Sequence, residues 1–134
     1  MSNITQVVNT DKSFKTLKKG IHAADLDQLL SSSGPYTFFG PTDAAFSKFE
    51  NGRIEQLLDL KNKEQLTDLM NNHIVKGRYA YQDFRDGDVL NSVNGRELLV
   101  KVTNGNVKIS DVPILSRDSK ISNGIVYQME TVLE

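Results

Sequence analysis

Two histidines, His22 and His73, carry the side chains best suited to proton transfer near neutral pH. A hydrolytic triad would need one of them beside an activated serine and an acid. Serines are plentiful, but none lies in the Gly-x-Ser-x-Gly context of a nucleophile elbow. His73 has apolar neighbours at a predicted helix-to-strand junction, which favours a buried ring that satisfies main-chain groups. We expect His22 to be a solvated residue near the end of a helix.

Clustered carboxylates are the second feature that could do chemistry. Asp83, Asp86 and Asp88 surround a glycine and offer the oxygen ligands that calcium prefers. Their spacing is not that of a calcium loop, however, and a polar turn is the expected structure. Asp25 and Asp27 would leave a helix at divergent angles, which does not suit paired acid–base work. The sequence therefore predicts no enzyme, no catalytic or metal-binding residue and no cofactor.

The elements that position these residues follow from a change of hydrophobic period along the chain. Helical spacing covers much of residues 4–30 and 54–70, with capping-box spacings that begin at Asp25 and at Asn62. Beyond the second helical stretch the pattern is that of strands, with Asn94-Gly95 as a tight primed turn. Helices gathered early and antiparallel strands gathered late indicate an α+β fold. Strands are predicted at residues 36–39, 73–75, 89–93, 98–102, 107–109 and 125–133.

The stretch YTFFGPTDAAF, Tyr36 to Phe46, specifies a strand that turns sharply into a helix. Pro41 restricts the backbone at the corner, and the Thr42 hydroxyl can cap the helix that follows. Phe38 and Phe46 would join strand to helix in the interior. We assign this motif to the fold, because its local logic is complete without a substrate.

Surface recognition would leave apolar or aromatic residues without an inward role. Tyr79 and Tyr81 alternate near Phe84 and could form an exposed aromatic patch for surface contacts. The alternative, which we favour, is that both tyrosines cover the edge of the sheet and expose their hydroxyls. The segment Val112 to Leu115 contains a proline and is predicted as an edge strand.

Composition bounds the domain and its partners. The 134 residues suit a single domain, residues 1–134, and 38% hydrophobic with 25% charged residues indicates a folded globular protein. The 16 Lys and Arg balance 17 Asp and Glu, which gives no electrostatic reason to expect a nucleic acid or an anionic membrane as partner. The chain has no cysteine, so a disulfide and a cysteine-ligated zinc are both excluded.

The amino-terminal residues bear on location. Met1 to Thr5 lack the charged and apolar regions of a signal peptide. No apolar run is long enough to span a bilayer, so membrane insertion is not expected. We expect an extracellular or cell-surface protein if a leader was removed before Met1, and a cytoplasmic protein otherwise.

Three segments in this order resemble the fasciclin-like adhesion domain: Tyr36–Phe46, Asn71–Tyr79 and Asn123–Leu133, the last beginning with Asn123-Gly124. The resemblance implies an α+β fold, a β-sandwich or wedge of roughly seven antiparallel strands with several helices packed on one flank. It also implies a noncatalytic module for cell adhesion or for protein and glycan interaction. The implied partner is a cell-surface or matrix protein or a carbohydrate, with no cofactor.

The resemblance implies Asn72, His73 and Asp118 as possible adhesion-motif positions. The central motif usually has a tyrosine before its histidine, where this chain has Asn72. A histidine commonly stands in the closing motif where this chain has Tyr127. Some animal members bind integrins through an Asp-Ile pair, and the matching Asp118-Ser119 lacks the aliphatic half, which argues against integrin binding.

Two other functions stay open at this point. One is a small-molecule binder or hydrolase with a cleft near His73. The other is a cytoplasmic relative without an adhesive role. An exposed His73 within reach of a serine and an acid would favour the first, and a buried ring bonded to a backbone carbonyl would favour adhesion or scaffolding.

Overall fold

The computed structural model describes residues 3–49, 52–116 and 121–133. Within these residues the helices gather in the first half of the chain and most of the strands in the second, as predicted. The α-helices are α1 Ile4–Thr10, α2 Lys15–Ala23, α3 Asp27–Ser31, α4 Asp43–Phe46, α5 Arg53–Leu58 and α6 Lys63–Asn71. The strands are β1 Tyr36–Pro41, β2 Ile74–Lys76, β3 Val89–Asn91, β4 Glu97–Thr103, β5 Asn106–Ile109, β6 Val112–Ser116 and β7 Gly124–Met129.

The strands form one sheet in the order β2-β1-β7-β6-β5-β4-β3. All neighbours are antiparallel except β1 and β7, which run parallel from Tyr36↔Gly124 to Pro41↔Met129. The two ends of the sheet meet at a single bridge between Val75 and Ser92. The sheet therefore curls almost into a barrel, and the predicted α+β wedge with helices on one flank is confirmed.

Strand β1 separates two hydrophobic cores because its side chains alternate between the faces of the sheet. Tyr36 and Phe38 point to the helices, where Phe38 is fully buried in a core shared with Phe46 of α4. Phe39 points the other way, into the core enclosed by the curled sheet, together with Tyr127 of β7. Truncating a buried phenylalanine such as Phe38 to alanine typically costs about 3–5 kcal/mol.

The corner after β1 is fixed by hydrogen bonds from two consecutive residues. The Thr42 side chain accepts from the Ala45 N–H at 3.4 Å and caps α4, while its own N–H donates to the Met129 carbonyl at 2.9 Å. Asp43 Oδ1 accepts from the Thr16 N–H at 2.8 Å. The corner is therefore joined to both β7 and α2, a connection that its local sequence does not reveal.

Both predicted capping boxes are wrong. Asp25 adopts φ 56 and pairs with Lys63, and α3 begins two residues later without a side-chain cap. Asn62 has no capping hydrogen bond and donates instead to the Gln56 carbonyl at 2.7 Å. In each case the side chain that the spacing predicts to cap a helix instead binds another residue, Lys63 for Asp25 and Gln56 for Asn62.

The Asn94-Gly95 turn does not have the predicted two-residue primed geometry. At Asn94-Gly95 the Ser92 N–H bonds to the Arg96 carbonyl at 2.8 Å, which makes a three-residue loop with Gly95 at φ 87. The Ser92 hydroxyl also accepts from the Arg96 N–H at 3.0 Å and stabilises this wider loop. The primed two-residue turn occurs at Asn104-Gly105 instead, where both residues have positive φ, 53 and 81.

The edge-strand prediction for Val112 to Leu115 is also wrong. Strand β6 lies between β5 and β7 and pairs with each over half its length, Pro113 opposite Lys108 and Ile114 opposite Met129. A strand that changes partner midway tolerates a residue without an N–H. The last strand is shorter than predicted and ends at Met129.

Gly124 provides the first prediction. A Cβ atom there would lie 1.8 Å from the Tyr36 carbonyl oxygen, so Gly124→Ala should separate β1 from β7 and cost more than about 3 kcal/mol. The control is Gly87→Ala, at φ 90 with open space around it, which should cost about 1–2 kcal/mol. Urea unfolding of both variants measures the difference. Equal losses would show that the contact between the strands yields to the added methyl group.

Candidate functional site

His73, the predicted structural histidine, lies between α6 and β2 and is completely buried. Its Nδ1 is 2.9 Å from the Leu69 carbonyl oxygen, and its Nε2 is 2.9 Å from the Leu133 amide nitrogen. A carbonyl can only accept and an amide N–H can only donate, so Nδ1 carries the proton and Nε2 accepts. The ring therefore connects the end of α6 to the segment that follows β7.

Burial lowers the pKa of His73 to about 4, with a smaller contribution from the charge of Arg96, against the opposing hydrogen bond to Leu69. The imidazole is therefore neutral at pH 7. Both ring nitrogens are occupied by main-chain partners, so the ring has no free nitrogen to offer a substrate. This environment is the one expected for a structural histidine.

Asn72 continues the same contact toward the hairpin of β3 and β4. Its Nδ2 donates to the Leu133 carbonyl at 3.0 Å, and its Oδ1 accepts from Asn94 Nδ2 at 2.7 Å. Asn72 and His73 together hold both the N–H and the C=O of Leu133. Through Asn72 and His73, the segment Asn71–Tyr79 thus connects Leu133 to α6 and to the β3–β4 loop.

Asn123 performs the matching role at the start of β7. Its Oδ1 accepts from the Ile4 N–H at 3.0 Å, and its Nδ2 donates to the carbonyls of Leu30 and Ser32 at 2.7 Å each. The side chain is buried, and every hydrogen-bonding atom of its amide has a partner. One residue thus joins the beginning of α1 and the end of α3 to the central strands.

The tyrosines at positions 79 and 81 are half-buried rather than displayed. Tyr79 stacks on Phe84, with ring centroids 6.1 Å apart, and Phe84 packs against Tyr127. The Tyr127 hydroxyl donates to the Tyr79 carbonyl at 2.6 Å. Burial raises the pKa of the Tyr127 hydroxyl. The Tyr81 hydroxyl accepts from the Val107 N–H at 3.0 Å. Aromatic rings here line the inner core, and only parts of the two tyrosines face water.

Asp118, the third adhesion-motif position, lies outside the described residues. The aspartates near Gly87 accept from main-chain amides: Asp83 from Ala80, Asp86 from Val102 and Asp88 from Arg85. Within the described chain no group of three His, Asp or Glu side chains could hold a metal ion. In the same residues no helix has both the length and the apolar character to cross a bilayer.

Grooves interrupt the outer surface of the described structure, and sequence reasoning did not find the first two of the following three. One, of about 390 Å³, lies between α5 and α6, and most of its lining residues have polar side chains, among them Gln56, Gln65 and Asp68. The second, also about 390 Å³, lies between β2 and β3. The third, of about 240 Å³, lies beside Pro113 and Leu115. Residues from several elements build each groove, so no contiguous motif marks the first two.

These features define the class of protein: it is an α+β wedge in which the polar side chains of Asn72, His73 and Asn123 bind main-chain groups and support the interior. The chain belongs to the fasciclin domain family, because the family model matches residues 12–134.

Several relatives cover nearly all of this chain. The Synechocystis protein sll1483 is 35% identical over 97% of the chain and 72% of its own length. The uncharacterized Synechocystis protein sll1735 is 32% identical over 99% of the chain and 98% of its own length. Porcine transforming growth factor-beta-induced protein ig-h3 is 30% identical over 98% of the chain, which spans only 19% of that protein.

A solved structure shows the same fold. The FAS1 domain pair from the insect cell adhesion molecule Fasciclin I superposes with a TM-score of 0.86 over 99% of this chain. The chain spans 51% of that structure at 15% identity. At this identity the likeness establishes the architecture alone.

The buried histidine gives a prediction for pH dependence. Between its unfolded pKa near 6.5 and its folded pKa of about 4, the unfolded chain binds a proton that the folded chain does not. Stability from this residue is therefore complete above pH 6.5 and falls on acidification, by about 3 kcal/mol in total by pH 4. Urea unfolding across this range should show a steeper loss for the wild type than for His73→Gln.

The control is His22→Gln, which removes the exposed histidine and should leave the steep pH dependence in place. An NMR titration of the His22→Gln variant then follows the His73 ring alone. A midpoint near 6.5 would contradict the buried, doubly bonded ring.

Asn123 allows an isosteric test. Asn123→Asp replaces the donating amide by a carboxylate that faces two carbonyl oxygens in a buried site. The loss of stability at pH 7 should be at least about 3 kcal/mol. Asn106→Asp, at an exposed position, is the matched control and should change stability little. Similar melting temperatures for the two variants would contradict the role of the Asn123 amide as a buried donor to two carbonyls.

Proposed function

We propose that this domain is a noncatalytic adhesion or protein and glycan interaction module of the fasciclin type. The carrying observation is that the side chains of Asn72, His73 and Asn123 all bind main-chain groups in the interior. Motif residues engaged in this way serve the fold, so recognition falls to the outer surface. Family membership supports the proposal, as does the fold shared with a FAS1 domain pair from an insect cell adhesion molecule.

The hydrolase alternative would need an accessible His73. A general base must reach the proton that it abstracts in a plausible substrate pose. The ring is fully buried, and its two nitrogens bind Leu69 and Leu133. Chemistry at this position would require the end of α6 to separate from Leu133, which argues against the alternative.

The proposed adhesive role requires that the domain lie outside the cell or on its surface. Surface biotinylation of intact source cells, followed by detection of the domain, tests this part of the proposal. Labelling comparable with that of a known surface protein is expected. Labelling only after lysis would favour the relative without an adhesive role.

Binding is tested with the purified domain on immobilised cell-surface and matrix proteins and on a printed glycan array. We expect saturable binding to at least one protein or glycan. Asn72→Ala and His73→Ala should lower the melting temperature and leave binding unchanged at temperatures where both variants are folded. A folded His73→Ala variant that no longer binds would mean that the motif takes part in recognition.

A further inference from the structure

Strands β2 and β3 are the two ends of the described sheet, and they come together only briefly. Val75 and Ser92 form the isolated bridge, and the Val93 N–H donates to the Ile74 carbonyl at 2.8 Å. Beyond Lys76 and Asn91 the two strands diverge around the groove of about 390 Å³. We call this space the β2–β3 groove. Its lining residues are Val75, Lys76, Tyr79, Val89, Leu90, Asn91, Ser92 and Val93.

The main chain of β3 directs part of its hydrogen-bonding groups toward this groove. Successive residues of a strand direct their N–H and C=O groups to opposite sides. The Ser92 N–H bonds to Arg96 on the β4 side, whereas the Val93 N–H bonds to Ile74 on the β2 side. By this alternation, Val89 and Asn91 direct their main-chain groups toward β2, and beyond Asn91 no further bridge joins the described residues of the two strands.

The main chain of β2 contributes the facing wall. The His73 carbonyl accepts from Phe39, and the Gly77 N–H donates to Pro35, so these residues face β1. Lys76 lies between them in the alternation and directs its main-chain groups toward β3. The groove thus has strand main chain on both of its sides.

We propose that the β2–β3 groove binds an extended peptide segment of a partner protein, which adds a strand beside β3. An extended backbone is the chemistry that supplies alternating donors and acceptors at strand spacing. This inference rests on the proposed interaction function and identifies its surface and the kind of partner.

The occupant is a linear segment rather than a second copy of this chain. The groove has protein on two sides, so the inserted strand must be free along both of its edges. The edge strands of a second copy do not meet this condition, because β2 is bonded to β1 and β3 to β4. An unstructured stretch of a partner does meet it.

Side chains near the groove define the sequence that it prefers. Val89 is 50% exposed and its cross-strand neighbour Leu99 is 44% exposed, so outward-facing apolar residues of the bound strand gain contacts there. Lys76 is exposed and has no ion pair with a described carboxylate. The preferred segment therefore alternates apolar residues and carries an acidic residue near Lys76.

The test begins with a phage-displayed library of random octapeptides selected on the full chain. Peptides with alternating apolar residues and an Asp or Glu should be enriched. The central variant is Asn91→Pro, which removes the N–H that points into the groove and leaves the pairing with β4 to Leu90 and Ser92. Asn91→Ala is its matched control, since it removes the side chain and keeps the N–H.

Asn91→Pro should weaken binding of the selected peptides about fivefold or more, as expected for one main-chain hydrogen bond left unmade, while Asn91→Ala should bind nearly as the wild type does. Lys76→Glu supplies a readout that does not depend on tolerance of proline. The Lys76→Glu variant should bind the acidic peptides more weakly than the wild type does. Replacing the acidic residue of the peptide by lysine should restore binding to this variant.

Each alternative outcome is distinct. Equal binding by both Asn91 variants together with no effect of Lys76→Glu would overturn the assignment of this groove. Failure to enrich any peptide, from a domain that binds a surface protein or glycan, would overturn the strand-addition mode and leave the proposed function standing. Absence of all binding would remove the proposed function itself. Concentration-dependent dimers that Asn91→Pro abolishes would identify a second copy as the occupant and refute the linear segment.

Discussion

The parallel pairing of β1 with β7 is the interaction on which the rest of the structure depends. Parallel strands cannot be joined by a tight turn, so the whole chain between them acts as one long connection. In its described residues that connection contains three α-helices, α4 to α6, and five strands, β2 to β6. Because both faces of β1 are covered, the pair lies between the two hydrophobic cores and contributes side chains to each of them.

The polar signature residues act at the two ends of this pair. Asn123 joins its beginning to α1 and α3, and Thr42 joins its end to Met129. His73 and Asn72 then secure Leu133 beyond that end. Polar main-chain groups buried there would be costly if left unpaired. Asn and neutral His suit such places because one side chain both donates and accepts.

The features predicted correctly from the sequence are those that local physics determines. The Thr42 cap, the corner after β1 and the order of helices and strands depend on neighbours within a few residues. The predictions that were wrong concern contacts between distant segments. Asp25 forms an ion pair with Lys63 instead of capping a helix. Pro113 does not lie in an edge strand, because β7 pairs with the second half of β6. Even the burial of His73 was foreseeable, whereas its partner Leu133 was not.

The same distinction explains why a binding surface on this fold would be difficult to recognise in the sequence. The groups that the β2–β3 groove presents are mainly N–H and C=O, which every residue but proline carries. Their availability depends on where two strands diverge, and this follows from the closure at Val75 and Ser92 rather than from any side chain. Motif residues that support the interior can therefore accompany a contact surface that consists largely of main-chain groups. On such a scaffold, changes at exposed Val89 or Lys76 would alter the preferred partner without disturbing either core.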